Sequence, residues 1–428
     1  MPDKTVALYT LGCRVNQYDT ESLFTQLIGN GYSRVKSFSR ADIHVINTCS
    51  VTKRADIKSR QLIRKVIRCD PWGRIVVIGC SVQHAPENFM NIKGVHLALG
   101  NVEKECLLKY LKRPYSGLHV SPIHMAKNVN YGSFCSFPEK CRANLKIQDG
   151  CDRFCSYCII PFVRGASRSH NPYKIIDEAG RLISLGYREI VLTGIQIGQY
   201  SSSGWDLKKL LENLAGLSGE FRIRLSSVNP DDLNNEILDL ILYHPKICRH
   251  LHISLQHGDN EVLRKMNRLY TRERVIETLD KIHVSDPYFG LGADIIVGFP
   301  GEGQKEFSNL YNFVQNLPLA YGHVFRYSQR RGTAASKIKD QNPEAVKIQR
   351  SLKIRKLLQK KKFDFFNNLI GTQHVLLVEY PRMRGYLSNY VQCRISSAQS
   401  YNVTSPSFFN ITVKNAFSQY VEGEAFQL

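Results

Sequence analysis

Apolar and polar positions alternate with two different periods along the first hundred residues. Thr5–Leu11 is apolar and rich in β-formers; from about Asp19, Leu23, Phe24, Leu27 and Ile28 fall on one face of a helix. Asp42–Asn47 reads as a second strand, followed by a basic helix from about Thr52 to Arg68. Ile75–Gly79 and Val95–Leu99 read as third and fourth strands, with a helix over Val102–Leu111. Such alternation predicts a parallel sheet with helices on its faces. Between Lys112 and Asn144 the pattern fades among Pro114, Pro122 and Pro138, as in a linker. Six strand-sized runs follow, at 145–150, 189–195, 222–228, 250–256, 293–299 and 323–328, most with a helical stretch between them. Six βα units fall short of the eight in a full barrel, so the segment predicts a partial (β/α)6 barrel. After Gly371 the chain reads as short alternating strands, which predict a small β-barrel. The fold class expected is α/β, with domains at 1–112, 141–362 and 363–428 and a linker at 113–140.

Composition narrows the class. At roughly one domain per 150 residues, 428 residues suggest about three domains. Hydrophobic residues at 43% exclude wholesale disorder. No run approaches the ~18 apolar residues of a membrane span, and the first residues lack a small-residue cleavage site for secretion. A cytoplasmic protein with no membrane attachment, acting as a monomer, is the expectation. The 58 Lys+Arg against 37 Asp+Glu leave a charge of +21. Thirteen of those cations, against two carboxylates, lie in residues 326–362. A helical pattern there puts Ile354, Leu357, Leu358 and Phe365 on one face and Lys and Arg, Arg355 and Lys356 among them, elsewhere. A solvated surface helix is the plain reading; the lopsided charge also suits a track for phosphates.

The 12 cysteines carry the candidate chemistry. In a reducing cytoplasm grouped cysteines point to metal or redox chemistry rather than disulfides. Cys13, Cys49 and Cys80 each follow a predicted strand, and a parallel sheet gathers its strand ends along one edge. Three thiolates suit an iron–sulfur cluster with one iron left open; a structural zinc would want a fourth ligand, for which only His44 and His84 offer themselves. Asn16 and Asn47 lie close in sequence and could donate to cluster sulfurs. Cys151, Cys155 and Cys158 form a CxxxCxxC run directly after a strand, unlike the paired CxxC of a zinc ribbon. Cys69, Cys106, Cys248 and Cys393 read as incidental.

With CDRFCSYC in place, the order GCRVNQYD, INTCSVT, IGC, PFVRGASRS, LTGIQIGQY, RLSSVNP, MNRLYT and GADIIVGFPGE resembles the radical S-adenosylmethionine (SAM) methylthiotransferase family over essentially the whole chain. The GCRVNQYD opening resembles the branch acting on N6-threonylcarbamoyladenosine (t6A) in tRNA. The resemblance implies a [4Fe-4S] cluster on Cys151, Cys155 and Cys158 that binds SAM and yields a 5′-deoxyadenosyl radical. It implies an auxiliary [4Fe-4S] cluster on Cys13, Cys49 and Cys80 that carries sulfur. Tyr157, Thr193, Gly194, Ser226, Gln256 and Asp294 lie where the family binds SAM or lines the pocket. The final segment is similar to the TRAM RNA-binding module, with Tyr386, Tyr390 and Arg394 placed to hold RNA.

The implied reaction is methylthiolation of C2 of t6A next to the anticodon, with tRNA as partner and a separate sulfur donor and low-potential electron donor. A C–H bond on adenine has no useful acidity, so a cofactor-derived radical suits it better than general base catalysis. Isopentenyladenosine in tRNA and a ribosomal-protein aspartate are the alternative substrates; an iron–sulfur RNA-binding protein is the non-enzymatic alternative. Two positions depart from the family pattern: His257 after Gln256, read as a partly exposed turn residue, and Asn229 where Glu is often found.

Overall fold

The computed structural model describes residues 4–112, 115–126, 141–379, 382–396 and 405–426. The first segment is a six-stranded parallel sheet of β1 (Lys4–Thr10), β2 (Tyr32–Arg34), β3 (Ile43–Thr48), β4 (Arg74–Gly79), β5 (Val95–Leu99) and β6 (Gly117–His119), in the order β2-β1-β3-β4-β5-β6. Central strands such as β3 are buried along their whole length, which explains their continuous apolar run. Two strands escaped sequence reading. β2 and β6 have three residues each, too few to show a period, and β6 takes part of the expected linker into the sheet by pairing with Leu97–Leu99.

The helix α1 spans Arg14–Ile28, starting earlier than the apolar pattern suggested. Its first turns bury Asn16 and Asp19 beside Val15 and Tyr18, so polar residues sit on the packed face and hide the periodicity.

The central segment contains six barrel strands, as expected: Arg142–Lys146, Glu189–Thr193, Arg222–Leu225 resuming as Ser227–Val228, His250–Gln256, Gly290–Val297 and Tyr321–Arg326. The first starts three residues before the run expected at 145–150, whose Gln148–Asp149 pairs instead with Arg168–Ser169. Every pairing between them is parallel. Alternate residues such as Leu145, Ile190, Leu192, Ile223 and Leu225 pack under the surrounding helices in the largest core. Most intervening positions are polar. Glu189 takes Arg222 at 2.7 Å and Arg224 at 2.8 Å, all three buried. A basic helix, Glu344–Asn368, lies along the last barrel strand and runs past the boundary expected at 362. Ile354, Leu358 and Phe366 form its buried face; Phe366 enters the core of the final domain and Phe365, half-buried, packs against it.

Five strands, Gln373–Val378, Arg384–Leu387, Gln392–Ile395, Ser407–Ala416 and Val421–Phe426, close into the expected C-terminal barrel. Its Ser388–Tyr390 turn seats on the base of the central barrel. Arg224 donates to the carbonyls of Ser388 (3.2 Å) and Leu387 (3.4 Å), and Arg222 to that of Tyr386 (2.9 Å). The Asn389 carbonyl comes so close to Gly290 that no Cβ would fit there.

A buried ion network joins the first domain to the central barrel. Asp19 on α1 accepts from Lys104 (2.7 Å) and Lys146 (2.7 Å) and lies 3.2 Å from Arg164, which also holds Asp149 at 2.9 Å. Burial alone would raise the Asp19 carboxyl, but Lys104, Lys146 and Arg164 outweigh it and hold the group well below the usual carboxylate range. Asp19→Ala leaves three buried cations under-compensated and is expected to destabilise the fold by about 3–5 kcal/mol. Chemical denaturation of the two proteins measures this, and a change within about 0.5 kcal/mol, the scatter of surface substitutions, would count against the network.

Candidate active site at the domain joint

The first cysteine triad is assembled by three strand ends. Cys13 follows β1, Cys49 follows β3, and Cys80 opens the short helix Cys80–His84 directly after β4. Gly12, at φ +100°, is required here: a Cβ on it would stand 2.7 Å from the Cys49 Cβ and 2.8 Å from its Sγ. Cys49 and Cys80 are buried, and burial with the neighbouring Cys80 and Cys13 pushes the Cys49 thiol up to about 12. Cys13 opens to solvent on one side; packed protein on the other raises its thiol, and the Arg164 guanidinium opposes that rise. The same guanidinium also opposes the rise at Cys49, so one cation of the ion network acts on two of the three thiols.

The second triad is local. Gly150, at φ +76°, lets the chain press against the Gly165–Ala166 backbone, and Cys151 N–H donates to the Gly165 carbonyl at 3.0 Å. Phe154 takes the left-handed conformation (φ 46°), which turns the loop back so that Cys155 and Cys158 face Cys151. Arg268, from MNRLYT, donates to Cys155 Sγ at 3.2 Å, and Cys151 Sγ lies 3.3 Å from Gln196 Oε1. The Cys158 thiol is pushed up to about 12 by burial and by Cys155 and Cys151.

One short helix, Ile160–Arg164, separates the two triads. Ile159 and Val163 pack directly on Cys80, while Arg164 at the helix end enters the ion network. Folding therefore brings the fold-assembled and the sequence-local cysteines to a single joint.

The other expected site residues are placed unequally. Thr193, Gly194, Ser226 and Gln256 end their strands at the barrel mouth. Ser226 Oγ is buried with no partner among the described residues, and Gln256 sits at φ 61°, uncommon for a residue other than glycine. Thr193 Oγ1 donates to the Val191 carbonyl (3.1 Å), and Tyr157 lies edge-on to Phe299 beside Cys155 and Cys158. Asp294 lies 2.9 Å from His252 and 3.4 Å from His323; burial would raise its carboxyl, but those two imidazoles hold it low.

Several expectations are revised. Asn16 Nδ2 donates to the Leu11 (2.7 Å) and Thr48 (2.9 Å) carbonyls, and Asn47 Nδ2 to the Asn16 carbonyl and Thr20 Oγ1, both at 3.1 Å, so neither amide donates to a sulfur. The residue beside a sulfur is Asn101, whose Nδ2 lies 3.6 Å from Cys80 Sγ. It sits just past β5, where the strand-end rule applied to the cysteines would have found it. His257 is fully buried rather than partly exposed, 3.5 Å from Glu302. Asn229 accepts from Arg268 and donates to Asp232 at 2.9 Å, so it helps orient the guanidinium at Cys155.

Of the expected RNA contacts, Tyr386 and Tyr390 turn inward. Tyr386 carries the Arg142 guanidinium 4.4 Å from its ring, and Tyr390 packs against His250, Tyr321 and Arg224. Arg355 is exposed but donates to the Val324 carbonyl at 2.7 Å; Lys356 lies on the surface; Arg394 stacks on Tyr420 at 3.8 Å. Part of the basic segment serves the fold, since Arg330 pairs with Asp56 (2.6 Å) and Arg350 with Glu302 (2.8 Å).

An open six-stranded barrel with three cysteines at its mouth defines the radical SAM class, and the description of that superfamily matches residues 145–314. Residues 5–100 match uncharacterized protein family UPF0004. Among curated proteins, the threonylcarbamoyladenosine tRNA methylthiotransferase MtaB of Bacillus subtilis is 41% identical over 81% of this chain and 78% of its own length. That of Aquifex aeolicus is 39% identical over 91% and 96%. The tRNA-2-methylthio-N(6)-dimethylallyladenosine synthase of Flavobacterium psychrophilum is 30% identical over 99% and 95%. Among solved structures, the radical SAM methyltransferase TsrM from Kitasatospora setae shares the fold at a TM-score of 0.61 and 13% identity, over 78% of this chain and 77% of that one. The chain belongs to the radical SAM methylthiotransferase family, and its cofactors are SAM and two [4Fe-4S] clusters.

The residues present fit those groups: each triad offers three converging thiols with a cationic or amide donor beside a sulfur, and Ser226 Oγ awaits a partner at the mouth. Anaerobic reconstitution is expected to load about eight irons per chain. Cys49→Ala and Cys155→Ala should each lower this to about four. Iron and sulfide analysis decides it; a full complement in either variant would remove that cysteine from the ligand set.

Proposed function

We propose that the protein is a tRNA methylthiotransferase that installs a methylthio group at C2 of t6A beside the anticodon. The observation that carries this reading is the juxtaposition of two three-cysteine sites across one short helix, in a chain whose relatives at 39–41% identity are named for that reaction. On this reading Cys151, Cys155 and Cys158 hold the SAM-binding cluster, and Cys13, Cys49 and Cys80 hold the sulfur-bearing one. When bound, these groups supply hydrogen abstraction and sulfur for a C–H bond that no side chain could deprotonate.

The protein's part is placement. Arg268 orients toward Cys155 and is itself held by Asn229, Tyr270 and the Ser254 carbonyl. Ser226, Gln256 and Thr193 line the mouth in which SAM would lie. Arg164 and Asp19 fix one domain against the other, so that the substrate carbon meets both sites in one bound geometry. Lys353, Lys356 and Lys360, exposed on the basic helix, and Arg394 on the C-terminal barrel supply an outer surface for tRNA phosphates. Sulfur and electrons come from separate donors, and a cytoplasmic location follows from the tRNA substrate.

Isopentenyladenosine remains the second reading, because relatives at 30% identity are named for that base. Mass spectrometry of tRNA nucleosides from cells lacking and regaining the chain separates the two. The methylthio derivative of t6A should vanish and return; an unchanged level refutes the substrate. In vitro, Cys155→Ala should abolish SAM cleavage, whereas Cys49→Ala should retain cleavage without sulfur insertion. Methylthiolation by the Cys49→Ala protein would overturn the assignment of the first triad.

A further inference from the structure

A cavity of about 670 Å³ lies where all three domains meet. Thr10, Arg14 and Gln17 line it from the first domain, Asn144 and Val191 from the central barrel, and Tyr390 from the C-terminal barrel. Its size suits a nucleoside with a small substituent. None of Cys13, Cys49 and Cys80 lines it; Arg14, which directly follows Cys13, is the residue that leads from the first triad into the cavity.

The charges of the cavity are not equivalent. Arg142 is paired with Glu379 at 2.6 Å, and Glu189 with Arg222 and Arg224; Glu21 and Arg34 also line the cavity, with the Arg34 guanidinium over the Phe24 ring at 5.1 Å. Arg14 meets no carboxylate among the described residues. Its guanidinium donates to the Tyr390 hydroxyl at 3.1 Å, with its central carbon 5.9 Å from the Tyr390 ring. A guanidinium has five N–H donors, so one neutral partner leaves most of the fork free. Tyr390 is itself held in place. It takes the left-handed conformation (φ 68°) in the turn seated on the central barrel, and His250 (ring centroids 4.8 Å apart) and Arg224 (4.8 Å) pack on its ring. The cation is thus half-buried, aimed by a rigid neighbour and available.

We infer that Arg14, positioned by Tyr390, binds the carboxylate of the threonylcarbamoyl group and makes the enzyme specific for that substituent. The inference rests on the t6A reading above. In t6A the substituent leaves N6, and N6 and C2 flank N1 on the same edge of the base. A substrate that presents C2 to the first triad therefore directs its carboxylate toward the residue next to Cys13. An isopentenyl substituent has no charge to offer, and binding it would bury the guanidinium without an anion.

The test uses the full-length protein with both clusters loaded and tRNA carrying t6A. Arg14→Gln should raise KM about 10- to 100-fold, the range lost with a charge-assisted hydrogen bond, with a smaller change in kcat and unchanged iron content. A tRNA bearing the threonine carboxamide in place of the carboxylate should be as poor a substrate for the wild type as t6A tRNA is for Arg14→Gln, and the two changes together should cost little more. Arg14→Lys should recover part of the loss. Because Arg14 adjoins Cys13, Tyr390→Phe serves as a second variant outside both triads and should raise KM in the same direction by a smaller factor. Unchanged KM in both variants, or full additivity of variant and carboxamide, would overturn the inference while leaving the substrate reading intact. Failure of the wild type to methylthiolate t6A tRNA would instead refute that reading.

Discussion

The structure depends on the buried carboxylate of Asp19. It comes from α1, whose first residue follows Cys13, and is the point at which Lys104 of the same domain meets Lys146 and Arg164 of the central barrel. Buried ion pairs add little stability beyond what an apolar core would give, but they tolerate few arrangements, because each charge is costly once its partner moves. Lys146 lies in the first barrel strand and Arg164 ends the helix after the CxxxCxxC loop. The network therefore sets the distance between the two cysteine triads, which hydrophobic packing alone would leave free to slide.

The same economy of charge extends through the barrel. Its outer face is apolar and packs under helices, while its interior holds Glu189 with two arginines and Asp294 with two histidines. Nearly every interior charge is matched. Against that background the guanidinium of Arg14, which meets no carboxylate among the described residues, stands out as a position prepared for a group from outside the chain.

Strands and cysteines were legible in the sequence for the same reason. A buried parallel strand is a continuous apolar run, and a residue at its carboxyl end lies on the ligand-binding edge, so Cys13, Cys49 and Cys80 could be grouped without knowing any contact. What was not legible depends on side-chain direction. Tyr386 and Tyr390 carry the aromatic pattern of an RNA surface, yet the docking of one turn points them inward. Asn16 and Asn47 neighbour the cysteines in sequence, but their amides serve the backbone, and Asn101, far away in sequence, stands beside Cys80. The basic helix was recognised from its charge. Which of the arginines in that basic stretch hold the fold, as Arg330 and Arg350 do, required the partners Asp56 and Glu302 to be seen.

The central claim is that two clusters sit close together across the Ile160–Arg164 helix as one unit. Electron paramagnetic resonance of the reconstituted, chemically reduced protein tests it most directly. With both clusters reduced, the two signals should broaden one another through spin–spin coupling, and SAM should shift only the signal that survives in Cys49→Ala. Two narrow, independent signals, or one signal indifferent to SAM, would contradict the account.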